Sequence, residues 1–248
     1  MGAVLPFPRE IERSDRAPRE TPITDDAGWF EFPSLEDRVT INGRTGSGKT
    51  HAGAWLLSES EFHKQPFVII DFKRDIFFSK IDRLKEIDFG EVPTKPGVFH
   101  LKALPDQTQE MEDWLWKVWK KTHIGLFVDE GYLIDKNSKA FRTILTTGRS
   151  LHIPVYTLSQ RPVELPRFTI SEASFYQSFH LHDKRDRDTV EQFTPKEGIW
   201  GNDARLPKFH SKWYAVSADF SCLLGPAPRA EHILQRFDER LKPRKRII

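Results

Sequence analysis

The segment GRTGSGKT at residues 43–50 limits what this chain can fold into more than any other feature of the sequence. It matches the Walker A pattern G-x-x-x-x-G-K-[ST] in full, after a strand-like run at 38–42 and before a helical pattern at 49–59. Glycines in such a loop let the backbone curl until successive N–H groups point at phosphate oxygens, and the following helix adds partial positive charge. The segment therefore predicts a phosphate-binding loop between a strand and a helix.

Every residue of this loop is a candidate ligand for the phosphates of a nucleotide. Lys49 is expected to reach the β- and γ-phosphates, and the hydroxyl of Thr50 is expected to bind Mg²⁺. The full set of predicted ligands is Gly43, Arg44, Thr45, Gly46, Ser47, Gly48, Lys49 and Thr50. A glycine-rich turn that binds nothing is the alternative, and the strand and helix on either side argue against it.

The rest of the pattern predicts strands that alternate with helices. Apolar runs at 67–70 and 124–128 each end at an acidic residue, as buried parallel strands do. Further strands are predicted at 97–101, 153–158, 174–181 and 212–216, and further helices at 106–121, 137–147, 185–193 and 229–241. This alternation favours an α/β domain with a mainly parallel sheet flanked by helices.

Three segments are expected along the chain. Residues 1–35 hold five prolines without a sustained period, and they predict an extended arm that is either a free tail or a strap on a neighbouring subunit or shell. Residues 36–228 form the predicted domain, and residues 229–248 form a closing helix and a basic tail. That tail is either solvated or contacts DNA phosphates or an acidic partner.

Composition excludes several classes of protein. The 38 Lys and Arg against 36 Asp and Glu give a net charge of +2, so any basic partner surface must be local. The single cysteine, Cys222, excludes an intrachain disulfide framework and favours a reducing, intracellular compartment. No apolar run reaches the length of a signal peptide or a membrane span, so the sequence predicts no transmembrane segment.

A second motif, LFVDE at residues 126–130, is typical of a Walker B strand end. Asp129 is expected to hold Mg²⁺ through its water shell, and Glu130 to polarise the water that attacks the γ-phosphate. The second acid argues for hydrolysis by the protein itself. An apolar strand that merely ends in two acids is the alternative.

The next strand ends in the motif VYTLSQRP at residues 155–162. Gln160 at its tip is both a donor and an acceptor, so it could lie between the attacking water and the γ-phosphate and sense which nucleotide is bound. The alternative is a glutamine that only begins a loop. His180 and His182 share one face of a predicted strand, but no third or fourth ligand is evident, so no metal site is predicted there.

Taken together, GRTGSGKT, VIIDFKRD at 68–75, LFVDE and TTGRSLHIPVYTLSQRP at 146–162 resemble the FtsK–HerA superfamily of DNA-pumping ATPases. Within this superfamily the short, single-domain chain resembles viral genome-packaging ATPases such as those of tailless icosahedral phages with an internal membrane, and the likeness covers roughly residues 38–216. The resemblance implies a RecA-like P-loop NTPase of the ASCE type that binds ATP and Mg²⁺. It also implies a homo-oligomeric ring, usually a hexamer, around double-stranded DNA.

The resemblance implies a function and leaves alternatives beside it. The expected function is ATP-driven translocation of double-stranded DNA that packages a viral genome into a preformed capsid, with a portal or vertex protein as a further partner. Such a protein would act in the host cytoplasm or in association with the virion. The alternatives are an ATPase for plasmid or mobile-element DNA transfer, an ATP-dependent virion assembly or export factor, and a nucleotide-dependent binding module.

Members of this superfamily complete each site with an arginine from the neighbouring subunit. Arg149 is the first candidate for this trans arginine, and Arg142 and Arg161 are the substitutes; an arginine that only favours a helix end is the alternative. Asp71 and Lys73 match the superfamily's acid-x-Lys after the second strand, which either arranges the site or couples it to DNA-contacting loops, or else is a salt-bridged strand end. The candidate DNA-contacting loops are residues 74–85 and 161–167.

Overall fold

The computed structural model describes residues 32–197, 200 and 206–242, together with the backbone of the strand residues 4–5, 24–25 and 28–29. Most of the predicted N-terminal arm, and the basic tail from residue 243 onward, lie outside the described residues. The strands are β1 (Val4–Leu5), β2 (Thr24–Asp25), β3 (Gly28–Trp29), β4 (Arg38–Asn42), β5 (Pro66–Asp71), β6 (Lys85–Ile87), β7 (Gly97–Lys102), β8 (Gly125–Asp129), β9 (Val155–Ser159), β10 (Phe175–Ser178), β11 (Ser211–Ala215) and β12 (Phe220–Leu224). The helices are α1 (Lys49–Glu59), α2 (Ile76–Ser79), α3 (Thr108–Lys121), α4 (Lys139–Thr147), α5 (Arg167–Ser171), α6 (Lys184–Glu191) and α7 (Ala230–Leu241), with short 3₁₀ turns at Gly131–Leu133 and Pro162–Glu164.

Within the described part of the chain, ten strands form one sheet in the order β1-β12-β11-β10-β4-β9-β8-β5-β7-β6, and β2 pairs with β3 separately. The seven strands from β10 to β6 in this order run parallel to one another. At the other edge β11 is antiparallel to both β10 and β12. The fold class predicted from the sequence, a mainly parallel sheet flanked by helices, is confirmed.

The apolar runs predict fully buried strands because both faces of the sheet are covered. Phe67 and Ile69 on β5 point into a core that includes buried side chains of α1 and α7, and the intervening Val68 and Ile70 point into a second core with α3 and α4. Alternate residues of one strand thus serve opposite faces, as the two-residue period of a strand requires. A third cluster, with side chains next to α5 and α6, includes Tyr176 of β10.

The parallel strands bring their carboxyl ends to one edge of the sheet. Asp71 pairs with Asp129 across β5 and β8, and Asn42 pairs with Ser159 across β4 and β9. The phosphate-binding loop, Glu130 and Gln160 directly follow these strands. Ligands of open α/β sheets bind at this edge, so the topology collects the candidate site there.

The predicted elements of residues 36–241 are confirmed, with shifts of a few residues at their ends. The largest shift concerns the strand expected at 174–181, which ends at Ser178. The sequence did not predict β6, α2, α5 or β12, which are short or carry polar residues at alternate positions. Among the described helices, none combines the length and the apolar character that a bilayer crossing requires.

Candidate nucleotide-binding site

The loop at residues 43–50 has the backbone geometry that its glycines predict. A Cβ on Gly43 would lie 2.8 Å from the Cβ of Phe179, which leaves no room for a side chain. The N–H of Gly43 donates to the carbonyl of Ser159 at 3.0 Å, which ties the loop to the end of β9. Gly46 and Gly48 have φ values of 75° and 99°, in the region that favours glycine. The loop is therefore held at its base and free to present N–H groups above it.

Helix α1 begins directly after Gly48, and no side chain caps its first turn. Its first N–H groups consequently lack intrahelical partners and carry the positive end of the helix dipole. Lys49, the first residue of the helix, is 4% exposed. A helix start left open in this way, beside a buried ammonium, fits an anionic phosphate group.

Glu130 lies directly after β8 and is fully buried. The Nζ of Lys49 lies 3.0 Å from its Oε1, and the Nζ of Lys73 donates to the same oxygen. Although burial opposes it, the hydrogen bond and the charge of Glu130 raise the pKa of Lys73. Glu130 also has a left-handed backbone, with φ 62° and ψ 61°. Non-glycine residues adopt this strained backbone conformation mostly at functional sites, where the surrounding structure stabilises it.

Asp129, one residue earlier, has the opposite environment. It is fully buried, and neither carboxylate oxygen has a hydrogen-bond partner within the described chain. Burial and the negative charge of Glu130 raise its pKa to about 7, against the opposing charges of Lys73 and Lys49. A buried carboxylate without a partner is costly unless a cation or donor completes it.

The oxygen chemistry of this edge therefore fits a magnesium ion. Asp129 supplies the unsatisfied carboxylate, and the hydroxyl of Thr50 on the first turn of α1 is the second protein oxygen predicted for it. No group of three or more His, Cys, Asp or Glu side chains forms a metal cage in the part of the chain that the structure describes. A magnesium ion here would rely on phosphate oxygens and water for its remaining ligands, as it commonly does.

Gln160 links the phosphate-binding loop to the end of β8. The hydroxyl of Thr45 donates to Oε1 of Gln160 at 2.5 Å, and Nε2 of Gln160 donates to the hydroxyl of Tyr132 at 3.1 Å. Its backbone N–H donates to Oε2 of Glu130 at 3.3 Å. The side chain thus contacts the loop on one side and the 3₁₀ turn after Glu130 on the other. Its role as a sensor of the γ-phosphate stays a prediction.

Comparison with known proteins settles the family. Over 216 residues the chain is 38% identical to the DNA packaging ATPase P9 of Enterobacteria phage PRD1, and the match covers 84% of this chain and 95% of that protein. The chain belongs to the P9 family of phage DNA packaging ATPases. The resemblance to viral packaging ATPases inferred from the motifs is therefore confirmed. No protein-family model matches the sequence.

Solved structures agree with the P9 family fold. The genome packaging NTPase B204 of Sulfolobus turreted icosahedral virus 2, solved with AMPPCP, has a TM-score of 0.63 at 18% identity, over 78% of this chain and 99% of that one. VirB4 of Thermoanaerobacter pseudethanolicus has a TM-score of 0.65 at 9% identity, over 86% of this chain and 100% of that one. At these identities the likeness shows the shared fold of the P-loop ATPase sheet.

In this P9-family chain, the loop after β5 is built around Asp71. The carboxylate of Asp71 accepts the backbone N–H groups of Lys73 and Asp75, each at 3.0 Å. The Nε2 of His100 on β7 lies 3.0 Å from the same carboxylate, which is the geometry of a ring N–H donating to it. Asp71 is therefore a structural anchor that fixes the backbone from which Lys73 reaches Glu130. The sequence left this open, and the structure shows both an arranged loop and an ion pair.

The three candidate arginines lie in different places. Arg149 precedes β9 at the edge of the sheet opposite the phosphate-binding loop, with a side chain 72% exposed and its Nε 3.8 Å from Glu36. Arg142 on α4 lies over the ring of Phe168, 4.5 Å from its centroid. Arg161 directly follows β9 and Gln160, at the edge that carries the site. None of the three touches Lys49, Asp129 or Glu130 of its own chain, so a role for Arg149 in a neighbour's site stays a prediction.

Arg161 belongs to a separate ionic cluster. Its Nε lies 3.1 Å from the carboxylate of Asp186, and a second nitrogen lies 3.6 Å from Asp183. Asp186 is 3% exposed and also accepts the backbone N–H of Val163 at 3.1 Å. Asp186 therefore ties the turn that follows Gln160 to α6.

A cavity of about 710 Å³ adjoins the phosphate-binding loop on the side of β10. Arg44 contributes to its wall, with Nη1 2.8 Å from Nε2 of His182. The rings of His180 and His182 pack edge to face with centroids 4.8 Å apart. Phe179 and Phe209 also line the cavity. Space of this size beside the loop can take the remainder of a nucleotide whose phosphates lie on the loop.

Two residues of this network carry no motif that sequence reasoning could have used. Tyr132 lies just after LFVDE, but no motif distinguishes it from other loop tyrosines. His100 lies within an ordinary strand pattern. Both act through partners far away in the chain, Gln160 and Asp71 respectively. Alternation would place His100 and Val98 on one face of β7, so a histidine on an otherwise apolar face was the available signal.

Proposed function

We propose that this chain hydrolyses ATP and uses the energy to move double-stranded DNA into a preformed viral capsid. The observation that carries the proposal is the meeting of Lys49, the unsatisfied Asp129 and the buried Glu130 at one sheet edge of a chain of the P9 family. Such a set binds a nucleoside triphosphate and activates water against it. The relative from phage PRD1 is a DNA packaging ATPase, so we infer that hydrolysis in this chain also drives DNA packaging.

Each residue has a part in the reaction. The N–H groups of the loop and the ammonium of Lys49 bind and orient the phosphates, and Asp129 and Thr50 hold the magnesium ion. When bound, that ion neutralises charge on the β- and γ-phosphates. Glu130 accepts a hydrogen bond from the attacking water and aligns it with the γ-phosphorus. Gln160, already bonded to Thr45 of the loop, reports whether the γ-phosphate is present.

Phosphate binding also changes the resting ion pairs. In the structure the ammonium of Lys49 is used by Glu130 at 3.0 Å. A triphosphate on the loop offers that ammonium several anionic oxygens, so Lys49 would exchange the carboxylate for phosphate. Glu130 then loses one of its two cationic partners. Substrate binding therefore begins to free the residue that activates water.

The assembled machine needs parts beyond one chain. We infer a homo-oligomeric ring, a hexamer by resemblance, in which Arg149 of one subunit completes the site of the next, with Arg142 or Arg161 as substitutes. Each subunit would consist of an arm at 1–35, an ATPase domain at 36–228 and a closing segment at 229–248. The ring would act on a capsid portal or vertex protein, in the host cytoplasm or on the virion. Residues 74–85 and 161–167 are the proposed DNA-contacting loops.

A second function, transfer of plasmid or mobile-element DNA, uses the same fold. The likeness to VirB4, which is 9% identical, reflects this shared architecture and cannot separate the two. The 38% identity to a packaging ATPase over 95% of its length favours packaging. An export or assembly factor that moves protein is the remaining alternative, and it predicts hydrolysis that does not respond to DNA.

The decisive test is ATP hydrolysis by the purified protein with and without long double-stranded DNA, beside Glu130→Gln. Strong stimulation by DNA, lost in Glu130→Gln, supports the motor and the proposed role of Glu130 together. Glu86→Gln is a matched control, because Glu86 is an exposed glutamate that pairs with Lys102 rather than with Lys49 or Lys73. Hydrolysis that is indifferent to DNA would favour the assembly factor over the motor.

A further inference from the structure

An exposed aromatic side chain lines the cavity beside the phosphate-binding loop. Phe209 belongs to the wall of this cavity and is 41% exposed. We propose that the ring of Phe209 stacks on the base of the bound nucleoside triphosphate and selects purine over pyrimidine bases. This inference rests on the proposed function and names a residue that determines the nucleotide specificity of the same site.

The order of the strands indicates the direction in which a bound nucleotide extends. β4, which leads into the phosphate-binding loop, lies between β9 and β10, and β8 lies beyond β9. Glu130 follows β8, and its Oε1 lies 3.0 Å from the Nζ of Lys49, so the terminal phosphate is expected on that side of the loop. The other end of the nucleotide then extends past β4 towards β10. The cavity lies on this side, because Ser178 of β10 and Phe179 directly after it line its wall.

Phe209 lies beside the last glycine of the loop. A Cβ on Gly48 would lie 3.4 Å from Cδ1 of Phe209 and 3.7 Å from Cε1 of Phe179. Both rings therefore lie next to the start of α1, where the phosphates are expected. Phe179 is buried and packs as part of the wall, whereas Phe209 still exposes surface to a ligand. Of the two rings, that of Phe209 is the one available to a base.

The backbone of Phe209 has a conformation that bulky residues rarely adopt. Its φ is 64°, in the left-handed region. The N–H of His210 donates to the carbonyl of Pro207 at 3.1 Å, which closes a turn that contains Phe209, and the buried Ser211 then begins β11. Strained residues of this kind cluster at ligand clamps and active sites. The turn therefore holds an aromatic ring in the cavity instead of burying it in the core.

The ring of Phe209 has the chemistry of a stacking surface. In the described part of the chain the exposed large apolar side chains are Ile76, Leu104, Phe209 and Val216, and Phe209 is the aromatic one among them. The Nζ of Lys208 lies over its ring, 4.8 Å from the centroid, so one face contacts an ammonium and the exposed remainder can contact a base. Aromatic side chains stack on every base, because every base has a π face. A two-ring purine overlaps a phenyl ring more fully than a pyrimidine does, so stacking alone separates the two classes of base.

The test measures hydrolysis of ATP and of CTP by Phe209→Ala and Phe209→Trp, together with inhibition by inorganic tripolyphosphate. Loss of one base–aromatic stack should raise the KM for ATP by roughly tenfold. The kcat should not change, because Lys49 and Glu130 are untouched. The preference for ATP over CTP in kcat/KM should fall towards one, whereas the inhibition constant of tripolyphosphate, which has no base, should stay the same. Phe209→Trp keeps a large aromatic face and should retain the preference.

Val216→Ala is the matched control. Val216 is also an exposed apolar residue, but it follows β11 at the other end of that strand. None of the kinetic constants should change in this variant. Thermal unfolding checks that Phe209→Ala folds, and Phe209→Leu is the second variant if it does not. Leucine keeps most of the apolar volume without a flat ring, so Phe209→Leu should show the same rise in KM.

Three results would overturn the inference. An unchanged KM for ATP in Phe209→Ala would mean that the base binds elsewhere. An equal weakening of ATP and of tripolyphosphate would mean that Phe209 supports the phosphate-binding loop rather than the base. An equal rise in the KM for ATP and for CTP would leave Phe209 without a role in specificity.

Calorimetric binding of ADP and CDP separates this inference from the proposed function. If wild type hydrolyses no nucleotide but binds ADP more tightly than CDP, and Phe209→Ala loses that difference, the proposed function fails and the stack stands. If wild type is an ATPase stimulated by DNA and Phe209→Ala binds and hydrolyses nucleotides as wild type does, the stack fails and the proposed function stands.

Discussion

Asp71 and Asp129 are paired residues on neighbouring strands, and both are fully buried, yet their carboxylates have opposite surroundings. Asp71 accepts two backbone N–H groups and faces His100, whereas Asp129 has no hydrogen-bond partner in the described chain. The carboxylate of Asp71 holds the backbone of the loop after β5, whereas the carboxylate of Asp129 remains available to a ligand. Two acids at the same edge of the sheet therefore have different roles, one structural and one in ligand binding.

Asp129→Asn should stabilise the protein without nucleotide or magnesium, and more so at higher pH. The pKa of about 7 lies above that of an unfolded aspartate, so between about pH 4 and that value the folded state keeps a proton that the unfolded state has lost. Stability of the wild type therefore falls as the pH rises across this window, and the variant escapes that loss. The expected gain at pH 8 is on the order of 2 kcal/mol. Urea unfolding of both proteins at pH 5 and pH 8 measures it, and an equal difference at both pH values would contradict the environment described for Asp129.

Magnesium-dependent nucleotide binding should weaken as the pH falls below about 7. Asp129 must give up its proton to hold the ion, so the apparent affinity is expected to fall by about tenfold for each pH unit below its pKa. Titration of a fluorescent ATP analogue across pH 5.5–8.5 in roughly millimolar magnesium tests this. The same titration in EDTA is the control and should be flatter. Parallel curves in both conditions would argue against Asp129 as a magnesium ligand.

Tyr132→Phe should slow hydrolysis while the protein stays folded. The substitution removes the hydroxyl that accepts from Nε2 of Gln160 at 3.1 Å, so the amide loses one of its two side-chain anchors. We expect kcat to fall by about three- to tenfold, the value of one neutral hydrogen bond. Steady-state kinetics measure this, beside Tyr214→Phe, which removes a hydroxyl bonded to Asp219 away from the site. An identical small effect in both variants would mean that Tyr132 does not position Gln160.

Arg236→Ala should destabilise the domain without touching the chemistry. Arg236 on α7 donates from Nε and Nη2 to the carboxylate of Glu59 on α1, at 2.5 and 3.1 Å, and Glu59 is 2% exposed. Removing the guanidinium from this buried carboxylate is expected to lower the free energy of unfolding by about 2–3 kcal/mol. The loss is smaller than for a carboxylate left without any cation, because Arg240 remains 4.0 Å from Glu59. Thermal unfolding should show a midpoint lower by several degrees. Arg229→Ala is the control variant. Arg229 precedes the same helix, and its side chain makes no capping hydrogen bond, so its removal should change the midpoint much less.

The sequence predicted the motif-bearing parts of the site because each is written in consecutive residues. An apolar run that ends in Asp129 and Glu130 identifies both a buried strand and the acids at its tip, and the topology then follows from parallel pairing. Tyr132 and His100 could not be predicted in the same way, since their meaning depends on partners 28 and 29 residues away. Because Arg149 precedes β9, the same parallel pairing places it at the edge opposite the site, so any role in hydrolysis depends on a neighbouring subunit.

The antiparallel edge of the sheet contains a strand, β12, that the sequence also did not predict. The strand β12 alternates buried and partly exposed residues around Cys222 and Leu224, a weak pattern in a polar context. The tight turn before it contains Asp219 with φ 46°, a conformation that aspartate tolerates better than most residues. Pairing with β11 stabilises this strand more than its own composition does.

The order of strands in the sheet has a consequence for synthesis of the protein on the ribosome. The phosphate-binding loop is translated early, but the bond between Thr45 and Gln160 joins residues 115 positions apart, and β4 acquires both of its neighbours only after β9 and β10 have emerged. Contacts this distant in the chain form late, because the closure entropy of the intervening segment must be met first. A nascent or truncated chain that lacks these strands therefore carries the nucleotide-binding motif without its support. Such incomplete products have Lys49 but lack Gln160 and the strands that flank β4, so we expect them to be inactive until β10 has emerged.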